Sequence, residues 1–262
     1  MMRIGRGTAA ALLTAAAIVA CTDVSTDPQV PLSLQFDTLP ALAVVVGDTL
    51  RGSDLLPARL PVRAFSGSGT AIADTQIRIV GVDTVSRRAF TRISGLRLVG
   101  TSEAPTVRIV AQAGSLQSQT QTFAVVPRPT GVRLGSTDID SIVYDRPDTS
   151  TRFRTLSVAV IRKVVDSAEV LLNGLPVRFR VTGFTASLLD SVRLVNVGSG
   201  RDATGSVMTG GAATIRIKTY AKPAARGRGT VTVEAFTRAF GLEIPGSPLV
   251  ITVRLVPFTL PP

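Results

Sequence analysis

Asn173-Gly174-Leu175-Pro176-Val177-Arg178-Phe179-Arg180-Val181-Thr182 opens on a turn and then alternates apolar and polar side chains. In an extended chain Val177, Phe179 and Val181 fall on one side, and Arg178, Arg180 and Thr182 on the other. That predicts a strand with one buried and one wet face, as in an antiparallel sheet. The period of two recurs outward from this stretch in both directions. Leu156, Val158 and Val160 share a face, as do Ile215 and Ile217, then Val231, Val233 and Ala235, then Ile251, Val253 and Leu255. Turn chemistry separates these runs at Gly67-Ser68-Gly69, Gly198-Ser199-Gly200, Gly210-Gly211 and Gly227-Arg228-Gly229. No stretch reads as a helix of convincing length. Seven or eight short strands in each half is the signature of a β-sandwich.

Length and composition agree with that reading. The chain has 262 residues, enough for one or two domains with real cores. Hydrophobic residues make up 45% and aromatics only 5%, with no Trp, so the core must be aliphatic. β-Branched side chains suit a pleated, half-buried surface better than a helix.

Two copies of one fold are expected. Leu60-Pro61-Val62-Arg63 matches Leu175-Pro176-Val177-Arg178, and Ile77-Arg78-Ile79-Val80 matches Val192-Arg193-Leu194-Val195, both at a separation of 115. Thr106-Val107-Arg108-Ile109 matches Thr230-Val231-Thr232-Val233 at 124, and each half closes on Val125-Val126-Pro127 or Leu255-Val256-Pro257. The drift places insertions in the second copy. The domains read as 31–127 and 130–257, with a tail at 258–262. Pro127-Arg128-Pro129 between them predicts a stiff linker.

Residues 1–20 read as a signal peptide: Arg3 and Arg6, then the 13-residue apolar run Thr8–Ala20, too short to span a bilayer. It ends in Ile18-Val19-Ala20-Cys21, which resembles the bacterial lipobox. The resemblance implies cleavage before Cys21, a covalent lipid on its thiol and attachment to a membrane; two or more acyl chains anchor stably. The same resemblance implies sorting by the residue after the Cys: Asp there would favour the inner membrane, so Thr22 leans towards the outer membrane, although Asp23 stands one place later. Residues 21–30 then form a polar, Pro-containing tether.

The second copy is similar to the bacterial immunoglobulin-like repeats of invasins and intimins. Gly174-Leu175-Pro176-Val177-Arg178-Phe179 resembles that family's G-x-P-V-x-F strand, Gly211-Ala212-Ala213 its G-x-A strand start, and Gly229–Ala235 its closing strand. The first copy resembles the broader bacterial immunoglobulin-like group at Val46–Leu50, Leu60–Phe65 and Val107–Ala111. The resemblance implies stalks and spacers that sometimes carry adhesive tips. Asp83–Gly100 and Asn196–Gly210 depart from the pattern.

The chemistry-bearing residues are sparse. With no His and with Cys21 the sole Cys, a Ser-His-Asp or Cys-His arrangement is impossible, and zinc lacks its usual ligands. No disulfide can form within the chain. Thr219-x-x-Lys222 is the nearest approach to an S-x-x-K motif, and no P-loop or dinucleotide fingerprint is present. No enzyme and no cofactor beyond the lipid are expected. Asp138, Asp140, Asp145 and Asp148 read either as a calcium loop or as a polar loop partly neutralised by Arg146.

The net charge of +11 comes from 29 basic and 18 acidic residues; only Lys163, Lys218 and Lys222 are Lys. Scattered Arg reads first as coding bias and second as attraction to anionic partners such as lipopolysaccharide or acidic glycans. Nucleic acid is disfavoured, because no helix-turn-helix, zinc-finger or aromatic RNA-binding signature is present. Arg178, Arg180, Arg193 and Arg216 are the candidate binding residues. With Arg78, Arg108 and Arg254 they occupy outward strand positions. Seven charges on one surface would make a binding face; spread over several sheets they would serve solubility. The leading expectation is a structural or docking lipoprotein with an envelope-protein partner, and the alternative an adhesin or polyanion binder.

Overall fold

The computed structural model describes residues 30–73, 75–135, 141–144, 153–164, 168–184, 192–197, 206–207, 213–219 and 229–257. The leader with Cys21, the four aspartates at 138, 140, 145 and 148, and Lys222 lie outside them.

The first half runs β1 (Ser33–Phe36), β2 (Ala43–Val45), β3 (Val62–Phe65), β4 (Ala71–Ile72), β5 (Arg78–Gly81), α1 (Thr84–Ala89), β6 (Phe90–Ile93), β7 (Arg97–Gly100), β8 (Ala104–Ala113), β9 (Leu116–Gln117) and β10 (Gln121–Val126). One sheet has the order β1-β3-β4 and the facing sheet β2-β10-β8-β5, with β6 and β7 a separate hairpin. The second half runs β11 (Gly131–Leu134), β12 (Ser141–Tyr144), β13 (Phe153–Arg162), β14 (Val170–Leu171), β15 (Pro176–Phe184), β16 (Val192–Val195), β17 (Ser206–Val207), β18 (Ala213–Thr219), β19 (Gly229–Phe236), β20 (Arg238–Ala239), β21 (Leu242–Glu243) and β22 (Leu249–Pro257). Its sheets are β11-β13-β18-β16 and β12-β22-β19-β15-β17. The first has the A-B-E-D order of an immunoglobulin sandwich, and the inner strands of the second have the C-F-G order. No sheet joins strands of the two halves among the described residues.

Burial follows the two-residue period. Along β19 buried and partly exposed residues alternate without a break, and Val231, Val233 and Ala235 are wholly buried. They meet Ile215 and Ile217 of β18 and Val177 and Phe179 of β15 in one apolar cluster between the sheets. A second cluster, with Leu50, Leu98, Val107 and Ile109, fills the first sandwich.

The pairing fixes which strands of the halves are equivalent. In both, the closing strand takes a short parallel partner: Val125 lies opposite Val44, and Leu255 opposite Ile142. On its other side, Val107 lies opposite Phe123 and Val231 opposite Val253. Val107 and Val231 are thus equivalent, at the separation of 124 read from sequence. One strand further, Ile79 faces Ala111 while Phe179 faces Ala235, so β5 is equivalent to β15.

The 115-residue match is a different matter. It set Ile77–Val80 against Val192–Val195, but Val192–Val195 is β16, an edge strand paired to β18. It set Leu60–Arg63 against Leu175–Arg178, but β3 pairs with the first strand of its sandwich, as β13 does. The physical reason is that alternating Val, Leu and Arg suits any strand with one wet face, so unrelated strands acquire similar strings. The true insertion lies between β15 and β19. There the second half builds β16, β17 and β18, where the first has α1 and the β6–β7 hairpin.

The helix α1 was not legible as such. Asp83 caps it, accepting a hydrogen bond from Ser86 N at 2.8 Å. Asp83 also holds Arg108 of β8 at 2.9 Å, and Ser86 Oγ accepts from Arg108 N. The turn is therefore pinned to β8 through both the side chain and the backbone N–H of Arg108. The carboxyl of Asp83 sits below its ordinary value because Ser86 N–H, then the Arg108 guanidinium, stabilise its charged form.

Candidate functional site

The seven outward arginines do not share a face. Arg178 and Arg180 lie on β15 and Arg254 on β22 of one sheet; Arg193 on β16 and Arg216 on β18 belong to the opposite sheet. Arg78 and Arg108 sit in the first sandwich. The four candidate residues therefore divide two and two over opposite faces of the second sandwich, and the single arginine-rich face foreseen as an alternative is not formed. Several are already engaged. Arg180 makes a 2.8 Å ion pair with Glu234 and lies over Phe236, and Arg216 stacks 4.4 Å from the Phe153 ring centroid. Thr219 is buried at the end of β18. Among the described residues no group of three or more acidic, His or Cys side chains is poised to hold a metal.

The convergence of buried polar chemistry is elsewhere, where the two sandwiches meet. Asp48 and Arg51 are only 5% and 7% exposed. Asp48 Oδ1 accepts from Thr49 N at 2.7 Å and from Arg51 Nη2 at 2.9 Å; Oδ2 accepts from Arg51 Nε at 2.9 Å. Arg51 Nη1 donates to Leu55 O at 2.9 Å. The remaining bond crosses the joint: Phe240 N donates to Asp48 Oδ2 at 2.7 Å. A buried carboxylate is tolerable only with such complete pairing.

Phe240 is the tip of the β20–β21 hairpin of the second sandwich. It and Gly241 have φ of 55° and 79°, the two positive values of a two-residue hairpin turn. A bulky residue seldom adopts that backbone. Here it aims the Phe240 N–H at Asp48 and lays the ring against Gly47, where a Cβ would come within 3.2 Å of it. A second contact fixes the same joint. Leu42 and Ala43 both donate to Gly174 O at 3.1 Å, and a Cβ on Gly174 would lie 2.8 Å from the Leu42 carbonyl carbon. Ala43, Val45 and Val126 of the first half complete the apolar cluster of the second. The Asn173-Gly174 turn that opens the fold-deciding strand is thus also a docking point.

Beside the latch runs a groove of about 850 Å3. Val46, Pro127, Phe240 and Pro245 contribute apolar surface, and Glu103, Arg128, Arg162 and Lys163 its charges. Glu103 of the first half pairs with Arg162 of the second at 3.1 Å. Arg128, in the linker, stacks with its guanidinium carbon 5.0 Å from the Phe240 ring centroid. Arg128 makes no hydrogen bond or ion pair among the described residues. Sequence reasoning missed this site. Its one local signal was Phe240-Gly241 between Arg238-Ala239 and Leu242-Glu243, a short hairpin with an unexpected aromatic at the turn.

No family model matches the sequence, and no curated protein matches it. Among solved structures the chain is similar to the Yersinia pseudotuberculosis adhesin InvE, at 12% identity and a TM-score of 0.31, over 85% of this chain and 57% of the adhesin. It is similar to domains 4–9 of the surface layer protein SbsC, at 13% identity and a TM-score of 0.29, over 89% of this chain and 32% of that fragment. It also matches a glycosyl hydrolase family 2 member from Bacteroides cellulosilyticus at 15% identity and a TM-score of 0.31, over 62% of this chain and 18% of that one. The chain thus spans only part of each. Scores this low carry no argument about function; the immunoglobulin-like assignment rests on the strand order of the second sandwich and on the strand equivalences that tie the first to it.

Proposed function

We propose that this chain is an exported lipoprotein of the cell envelope, anchored through Cys21, whose two sandwiches form a stiff spacer and docking module. The observation that carries the mechanical half is the buried Asp48–Arg51 pair reaching across the joint to Phe240. Two domains that only needed a tether would not bury an ion pair to fix their contact. The anchoring half is supported by the residues alone: Arg3, Arg6, the apolar run and Ile18-Val19-Ala20-Cys21. On this reading the lipid holds one end at a membrane, the outer membrane by the lean of Thr22, and the rigid pair presents its far surfaces to a partner in the envelope. No turnover is part of the role.

Cell fractionation tests the anchor. The wild-type chain should sediment with membranes, and Cys21→Ala should move it to the soluble fraction; an unchanged distribution would contradict lipid attachment. The alternative reading, polyanion capture by arginines, has less support because those residues divide over opposite faces. Retention on heparin that persists at high salt and is lost with Arg178→Gln and Arg180→Gln together would revive it.

A further inference from the structure

We propose that the groove at the joint binds a short acidic segment of a partner protein. A carboxylate of that segment pairs with Arg128, and a neighbouring apolar side chain rests on the groove floor. The inference builds on the docking-module reading and names the surface and the kind of partner.

Pockets favour domain interfaces, and this one is bordered by both sandwiches and the linker. Among the described residues its electrostatics are unbalanced. Arg128, Arg162 and Lys163 face it against Glu103, which Arg162 already takes. Lys163 is held only loosely, 4.0 Å from Glu169. Arg128 is different from the other cations. It stands between Pro127 and Pro129, whose fixed φ stiffens the backbone, and its guanidinium is stacked on Phe240. The fork is therefore held in place while its N–H groups make no bond among the described residues. A guanidinium so positioned suits bidentate pairing with a carboxylate, and less of its rotamer freedom remains to be lost on binding.

The rest of the lining selects peptide over sugar. A glycan site needs an open aromatic face and amide or hydroxyl groups for sugar hydroxyls. Arg128 lies over one face of the Phe240 ring, Gly47 packs against its edge, and Thr130, the one neutral polar side chain of the lining among the described residues, already accepts from Lys163 N at 2.7 Å. What remains is apolar surface from Val46, Pro127 and Pro245 beside a cation, which fits alternating acidic and apolar side chains of an extended peptide.

The test is fluorescence anisotropy with the full chain and a labelled hexapeptide of alternating Leu and Glu. Its Leu–Gln counterpart and hexagalacturonate serve as competing probes. Saturable binding of the acidic peptide is expected, weakened at least about tenfold by Arg128→Gln and little by Arg180→Gln, which removes the same charge from an outer face. The proposal is overturned by absence of saturable binding, by equal losses in the two variants, or by displacement with hexagalacturonate but not with unlabelled acidic peptide. Small-angle scattering of the Arg128→Gln chain separates the two failures. An unchanged profile leaves the stiff spacer standing without this ligand, and an expanded one strikes the spacer reading itself.

Discussion

At the scale of single residues the joint concentrates the largest expected effects. Asp48→Ala removes one half of a buried ion pair and leaves Arg51 Nε and Nη2 and the Phe240 N–H without an acceptor. A loss of about 3–5 kcal/mol is expected on breaking such a pair. Urea unfolding should show it, with Leu134→Ala, an exposed edge position, as a near-neutral control. Gly174→Ala should also destabilise, because its φ of 83° is unfavourable for Ala and its new methyl meets the Leu42 backbone. Asp83 gives a pH signature. Its folded carboxyl is depressed below 3.8, so its contribution is present above the unfolded value and fades as pH falls through the folded one. In melts between about pH 2 and pH 6, Asp83→Asn, still a competent helix cap, should lose less stability on acidification than wild type. A parallel acid limb in both would contradict this. Little of the joint was legible beforehand. The outward placing of Arg178, Arg180, Arg193 and Arg216 follows from local alternation, but Asp48 and Phe240 are 192 positions apart, and nothing local announces their bond.

At the scale of elements the period of two carries almost everything. It located β13, β15, β18, β19 and β22, because each buries one face against the facing sheet and, apart from β13, where Ala159 and Ile161 are buried as well, leaves the other wetter. It could not tell which strand pairs with which, since period and composition are the same for an inner strand such as β15 and an edge strand such as β16. That is why the 115-residue match misaligned the copies. The 124-residue match succeeded because Thr-Val-x-[Ile/Val] marks the same inner strand, with both edges paired. α1 stayed hidden for another reason: six residues carry too little periodicity, and its stability comes from the Asp83 cap and the Arg108 contacts. Phe179, wholly buried where β15 meets the centre of the second core, tests the assignment. Phe179→Ala should cost about 3–5 kcal/mol, as for large aromatic truncations in well-packed cores. Phe240→Ala should cost less in overall unfolding but loosen the joint, since Phe240 is 39% exposed. Comparable losses in the two variants would place the second core elsewhere.

At the scale of the whole molecule the central claim is that two immunoglobulin-like sandwiches form one stiff body rather than beads on a linker. Prolines at 127 and 129 suggested stiffness from sequence, but a short linker alone still permits hinging. The structure adds two clamps away from the linker, Gly174 against Leu42 and Phe240 against Asp48, and a shared apolar cluster. The decisive measurement is the distance distribution between spin labels at Ser115→Cys, in the turn after β8, and Thr252→Cys, on β22, in a Cys21→Ser chain. One narrow distance peak is expected, broadening on Asp48→Ala. A broad distribution in the parent chain, unchanged by Asp48→Ala, would contradict a stiff joint.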